Sequence, residues 1–129
     1  MIQLLLDTHI FLWLITGDSR LPDFFREAIL ESENSVFLSA ASVWEIVIKY
    51  NLGKLPLPES PEIYIPRQRE LHMIESLSVT EANLFHLVKL PNLHSDPFDR
   101  CLISQALSND LTLVTIDQAI MKYDVPFLK

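Results

Sequence analysis

The apolar residues fall in two patterns: short unbroken runs that read as buried strands, and longer stretches with apolar positions three or four apart that read as helices. Ile2-Gln3-Leu4-Leu5-Leu6 predicts a buried strand ending at Asp7. Thr8 to Thr16 is too continuously apolar for a solvated helix, and Gly17 is placed to close it. Such a helix is buried on most sides or lent to a partner. Pro22 opens a second helix with Phe25, Ala28 and Ile29 at helical spacing, and Ser35 to Leu38 reads as a strand. Ser42-Val43-Trp44-Glu45 has the capping-box pattern, with Ile46, Val47, Tyr50 and Leu52 following and Gly53 closing the helix. Pro61 starts another helix, which Pro66 should kink or shorten. Ser76 to Val79 predicts a short strand, and Thr80 caps a helix to about Leu90.

Asp96-Pro97 is the order expected of an N-cap followed by proline at the first helical position, which puts Asp99 over the positive end of the helix dipole. Asn109-Asp110 breaks that helix, Leu111 to Thr115 is a strand, and Val125 to Leu128 reads as a final edge strand. Strands alternating with helices imply an α/β fold, three-layered α/β/α with a central, mainly parallel sheet, in one domain over residues 1–129. Functional groups of such sheets gather at the carboxyl ends of the strands. Asp7 leaves the first strand and Asp117 lies just past the last regular one, while Glu45 and Asp99 are read at helix openings on the same rim.

Composition changes this picture little. The longest apolar run, Ile10 to Ile15, cannot span a bilayer, no basic-then-apolar leader opens the sequence, and a single cysteine excludes an internal disulfide. A cytoplasmic protein without membrane partners is the expectation. The net charge of −7 argues against a nucleic-acid partner unless acids are metal ligands; two divalent cations would take it to −3. The ten Lys and Arg residues are scattered along the sequence.

Singly, each acid has a plain explanation. Asp7 could cap the helix after it, Glu45 could be the capping-box partner of Ser42, Asp99 could serve its helix dipole, and Asp117 could be a turn residue. Together on one rim they repel one another, and oxygen-rich acidic sites are what Mg²⁺ or Mn²⁺ needs. Metals held in this way support in-line phosphodiester hydrolysis without a covalent nucleophile.

Leu5-Leu6-Asp7-Thr8-His9, Ser39-x-x-Ser42-x-Trp44-Glu45-Ile46, His94-x-Asp96-Pro97-Phe98-Asp99-Arg100-x-Leu102-Ile103 and Thr115-x-Asp117 occur in that order along nearly the whole chain. In this the sequence resembles PIN-domain nucleases, specifically the VapC-type toxins of toxin–antitoxin pairs. The resemblance implies that Asp7, Glu45, Asp99 and Asp117 bind metal and are catalytic, and that Asp96 is a cap or supporting acid. It further implies an endoribonuclease using Mg²⁺ or Mn²⁺, an RNA substrate, a homodimer and a small antitoxin protein.

Around these acids, His94 reads as a surface or packing residue, or as a supporting group or substrate contact, and Thr115 as a supporting group. Arg100 reads equally as a phosphate contact or as a partner for an acid. Lys49 suits a helix ion pair with Glu45, Arg67 and Arg69 suit a solvated helix face, and Cys101 should turn to the core. His9, His72, His86 and His94 lack zinc spacing with one another or with Cys101. Gly17 and Gly53 are the only glycines, which excludes a glycine-rich phosphate loop. A haloacid-dehalogenase-like phosphatase would want an acid where His9 stands. The alternative that survives is a catalytically inactive PIN domain that binds protein or RNA.

Overall fold

The computed structural model describes residues 1–129. In chain order the elements are β1 (Gln3–Leu6), α1 (Thr8–Thr16), α2 (Asp23–Leu30), β2 (Ser35–Ser39), α3 (Ala40–Asn51), α4 (Pro61–Leu71), β3 (Glu75–Leu77), α5 (Glu81–Phe85), α6 (Pro97–Ser108), β4 (Thr112–Val114) and α7 (Gln118–Met121). The strands form one sheet in the order β3-β2-β1-β4. Every pairing is parallel.

The central strand shows why the layers form. Leu4, Leu5 and Leu6 are all fully buried, and successive side chains of a strand point to opposite faces. Leu4 and Leu6 pack with Ile10, Phe11 and Leu14 of α1, Phe25 and Ile29 of α2, Ile46 of α3 and Ile65 of α4. Leu5 packs on the other face with Leu102, Ile103 and Ala106 of α6, Ile120 of α7, Tyr123 and Val125. The expected α/β/α layering is therefore present.

Several boundaries follow local chemistry that the sequence displays. Gly17 ends α1 at φ 66°, and Asp96 caps α6 by accepting from the Phe98 and Asp99 amides. Thr80 and Asn83 form a reciprocal capping box at α5, which passes into a short 3-10 turn at His86–Lys89.

Other readings are corrected. Ser42 is not a cap: β2 runs through Ser39 straight into α3, and Ser39 caps that helix by accepting from the Ala41 amide. Glu45 therefore lies inside α3, more than one turn from its start, and not at a helix opening. Pro66 does not end α4, which continues to Leu71. The carbonyl it orphans belongs to Glu62, and both residues are exposed, so water can replace the missing amide. The final edge strand reduces to one parallel bridge, Leu113 with Phe127. On α1, Phe11 and Leu14 are buried in this chain's own core, which withdraws them from any partner. No helix is long and apolar enough to cross a membrane.

Candidate active site

Asp7 follows β1 at the N-cap position of α1, yet its side chain makes no capping hydrogen bond. Its amide donates to the Val114 carbonyl, and its Oδ2 accepts from the Thr115 hydroxyl at 2.9 Å. Thr115 Oγ1 also accepts from the Asp117 amide at 3.0 Å, so one buried hydroxyl ties two acids to the end of β4. Burial pushes the Asp7 carboxyl above its usual range; the Thr115 bond opposes this and the Asp117 charge adds to it. Asp117 also caps α7 by accepting from the Ala119 amide at 2.9 Å.

Asp96 and Asp99 come from the other side, at the start of α6. Asp96 is occupied as a cap through Oδ1. The Asp99 carboxyl is pushed up to about 6, first by burial, with the charges of Asp96, Asp7 and Asp117 adding to it against a lowering hydrogen bond from His94. Asp7, Asp96 and Asp117 thus lie within electrostatic reach of Asp99, and Asp117 within reach of Asp7, although they come from three separate parts of the sequence.

Glu45 joins differently. Its Oε1 accepts from the Thr8 hydroxyl at 2.8 Å, and Thr8 also hydrogen-bonds with Ser42 at 3.0 Å. Its Oε2 pairs with Lys49 Nζ at 2.8 Å, the helix ion pair expected from their spacing. Thr8, next to Asp7, thus connects Glu45 to the aspartates. The sequence reading gave Thr8 no role, because its contacts lie across to α3.

Arg100 meets no acid. Its Nη1 donates to the Pro91 carbonyl and to Tyr123 Oη, both at 2.9 Å. His94 is neither surface nor simple packing: Nδ1 lies 2.8 Å from Tyr123 Oη and Nε2 lies 3.1 Å from Asp99 Oδ2. Tyr123 was missed in the sequence. The only local signal for it is a buried tyrosine between Ile120 and Val125, whose hydroxyl must find a partner. Cys101 is buried as expected, which raises its thiol. Arg67 pairs with Glu59.

The donor set at the aspartates is entirely oxygen, which suits Mg²⁺ or Mn²⁺. A cation would also offset the burial and, after it, the repulsion that raise the Asp99 carboxyl. In the conformation described, no three His, Cys, Asp or Glu side chains close up as a coordination group. Asp7, Asp99 and Asp117 are instead each engaged with a protein partner through one carboxylate oxygen, and Glu45 through both.

Sixty-one residues of the chain are 44% identical to Ribonuclease VapC16 of Mycobacterium tuberculosis, a match covering 47% of this chain and 43% of that protein. The chain thus spans less than half the length of that curated relative. Among solved structures, VapBC2 from Rickettsia felis bound to a promoter DNA fragment superposes with a TM-score of 0.70 at 18% identity, over 99% of this chain and 98% of the other. VapBC-1 from nontypeable Haemophilus influenzae gives 0.69 at 20% identity, over 99% and 98%. At these identities the likeness is one of fold. Residues 4–126 match the PIN domain family, and the chain belongs to that family.

Proposed function

We propose that the chain is a Mg²⁺- or Mn²⁺-dependent endoribonuclease of the VapC type, the toxin of a toxin–antitoxin pair. The observation that carries this reading is the crowding of Asp7, Asp96 and Asp117 around a half-buried Asp99. Plain helix caps have no reason to raise one another's charge cost. The 44% identity to Ribonuclease VapC16 supports RNA as the substrate.

In this reading Asp7, Glu45, Asp99 and Asp117 hold the metal and are the catalytic acids, with Asp96 as a cap. When bound, a divalent cation would supply positive charge that phosphodiester hydrolysis needs, in a cleft where Asp7 and Asp117 also face His9 and Arg20. The chain's own residues keep the acids in place. Thr115 fixes Asp7 and the turn of Asp117, Thr8 fixes Glu45, and His94 fixes Asp99. Lys49 has to release Glu45 before that carboxylate can serve an ion. The inactive-domain alternative draws on that pairing and on the absence of a ready coordination group.

Arg20, Lys49 and Lys54 line one groove although they are apart in sequence, with Arg20 paired to Asp18 and Lys49 to Glu45. The groove, of about 500 Å³ along α1 and α3, is also lined by Leu12, Trp13 and Tyr64. It fits an amphipathic antitoxin segment whose basic end approaches the acids. Incubating the chain with a mixed RNA pool and sequencing the new ends tests the activity. Discrete cleavage in Mn²⁺ that disappears in EDTA is expected, and equal cleavage in EDTA would sink the reading.

We also place the homodimer contact away from α1. Trp44 is 64% exposed and lies edge-on to Phe98 at 5.2 Å, beside an apolar hollow lined by Ala41, Val79, Leu84 and Leu87. Light scattering at micromolar concentration should show a dimer, and Trp44→Asp a monomer with unchanged circular dichroism. A wild-type monomer, or a dimer in the variant, would reject this contact.

A further inference from the structure

Tyr123 is buried, and its hydroxyl gathers an unusual number of donors. Arg100 Nη1 lies at 2.9 Å, the His94 amide at 3.2 Å and the Leu93 amide at 3.3 Å. A phenolic oxygen has two lone pairs and one proton. With the acceptor side filled by N–H groups, the proton of Oη is left for the one remaining contact, His94 Nδ1 at 2.8 Å. A proton on Nδ1 would have to point at an oxygen that already takes three donors. The ring therefore carries its proton on Nε2, 3.1 Å from Asp99 Oδ2. The tautomer follows from counting protons and lone pairs.

We propose that Tyr123 and His94 are positioning residues for Asp99. The buried phenol fixes the imidazole in the Nε2–H tautomer, and the imidazole holds Oδ2 of Asp99 while Oδ1, which has no protein partner, stays available to a cation. The proposal rests on reading Asp99 as a metal-binding carboxylate. It gives the C-terminal segment after α7 a function, because Tyr123 lies 29 residues from His94 in sequence and reaches it only across the fold. It also gives Arg100 one: bonded to Tyr123 and to the Pro91 carbonyl, it ties α6 to the loop that carries His94. Hydrogen bonds to ligating groups are worth roughly 10–100-fold in metal affinity when removed.

Two measurements on the full chain test this, neither needing turnover. Nitrogen-15 NMR of histidine-labelled wild type should show His94 unprotonated at Nδ1 and protonated at Nε2, and Tyr123→Phe should mix the tautomers. Calorimetric titration with Mn²⁺ should show binding weakened roughly 10–100-fold in Tyr123→Phe and in His94→Asn. In His94→Gln the affinity should largely return, because the glutamine amide can place an N–H near the position of Nε2 and the asparagine amide cannot. If Tyr123→Phe does not fold, the Gln and Asn pair at the loop position still decides. A wild-type Nδ1–H tautomer, or equal affinities in the Gln and Asn variants, overturns the relay. Weakened binding in Asp99→Asn beside unchanged binding in Tyr123→Phe and His94→Asn overturns the relay and leaves the metal site standing. Unchanged binding in Asp99→Asn overturns the parent reading and the relay with it.

Discussion

Asp99→Asn should melt higher than the wild type in EDTA at neutral pH and should no longer cleave RNA. The Asp99 carboxyl ionises at about 6 in the folded chain against an ordinary value of 3.8. Burial and three neighbouring acids thus make the charged form costly, by an amount on the order of 1–2 kcal/mol once solvent screening is allowed for. Asparagine keeps the shape, and its carbonyl still accepts from His94 Nε2, so the hydrogen bond survives while the repulsion goes. The sign follows from linkage. A carboxyl raised by folding leaves stability intact below about pH 4 and withdraws it as pH rises through 6. The advantage of the variant should therefore appear above pH 6 and vanish near pH 4. If Asp99 serves only its helix dipole, the substitution instead costs roughly 0.3–1 kcal/mol at neutral pH. Thermal melts at pH 4 and 7.5 in EDTA separate the two, and a variant that melts lower at 7.5 would make Asp99 a structural residue. Loss of cleavage should exceed the ~10–100-fold typical of a group that merely supports a metal ligand. A gain in stability with a loss of function is the usual signature of a functional site.

The parts of this fold that were legible in sequence are those decided by neighbours along the chain. Gly17 adopts φ 66° at the end of α1, a conformation that favours glycine, and Asp96-Pro97 opens α6 because a cap and a fixed φ both serve that position. The alternation of Leu4, Leu5 and Leu6 between two cores follows from a strand covered on both faces. Ser42-x-x-Glu45 misled for a physical reason: the motif specifies a capping geometry but does not say where the preceding strand stops. Once β2 extends to Ser39, Ser42 is carried into the first turn and buried, and its hydroxyl turns to Thr8. Pro66 misled because the cost of a proline depends on whether its orphaned carbonyl can reach water, which sequence does not display.

At the acidic cluster the same division holds. That Asp7, Asp99 and Asp117 approach one another was legible, since strand ends and helix starts of a parallel sheet share a rim. Which group holds each acid was not. Thr115 on Asp7 spans 108 residues, Thr8 on Glu45 spans 37, and Tyr123 on His94 spans 29. Those distances are set by the tertiary path of the chain, and no local spacing encodes them. Arg100 illustrates the consequence. An arginine beside an acid in sequence suggested an ion pair or a phosphate contact, but one residue along a helix turns it away from Asp99 to Tyr123.

Mn²⁺ should protect the wild type against thermal unfolding by about 2.7 kcal/mol at a free concentration one hundred times its dissociation constant. Asp7→Asn and Asp99→Asn should lose most of that protection. Lys49→Met should go the other way. The Lys49 ammonium sits 2.8 Å from Glu45 Oε2, so a metal that uses Glu45 must displace a cation already there. Removing it should tighten Mn²⁺ binding by about tenfold, equivalent to about 1.4 kcal/mol. The same change should lower the stability of the metal-free protein, because it leaves a buried carboxylate held by one hydroxyl alone. The variant would thus be the weaker fold in EDTA and the more strongly protected one in Mn²⁺, with the two melting curves drawing together as metal is added. A merely structural ion pair predicts the first effect without the second. Melts across a Mn²⁺ series decide it: Lys49→Met destabilised equally at every metal concentration would remove Glu45 from the metal-binding set.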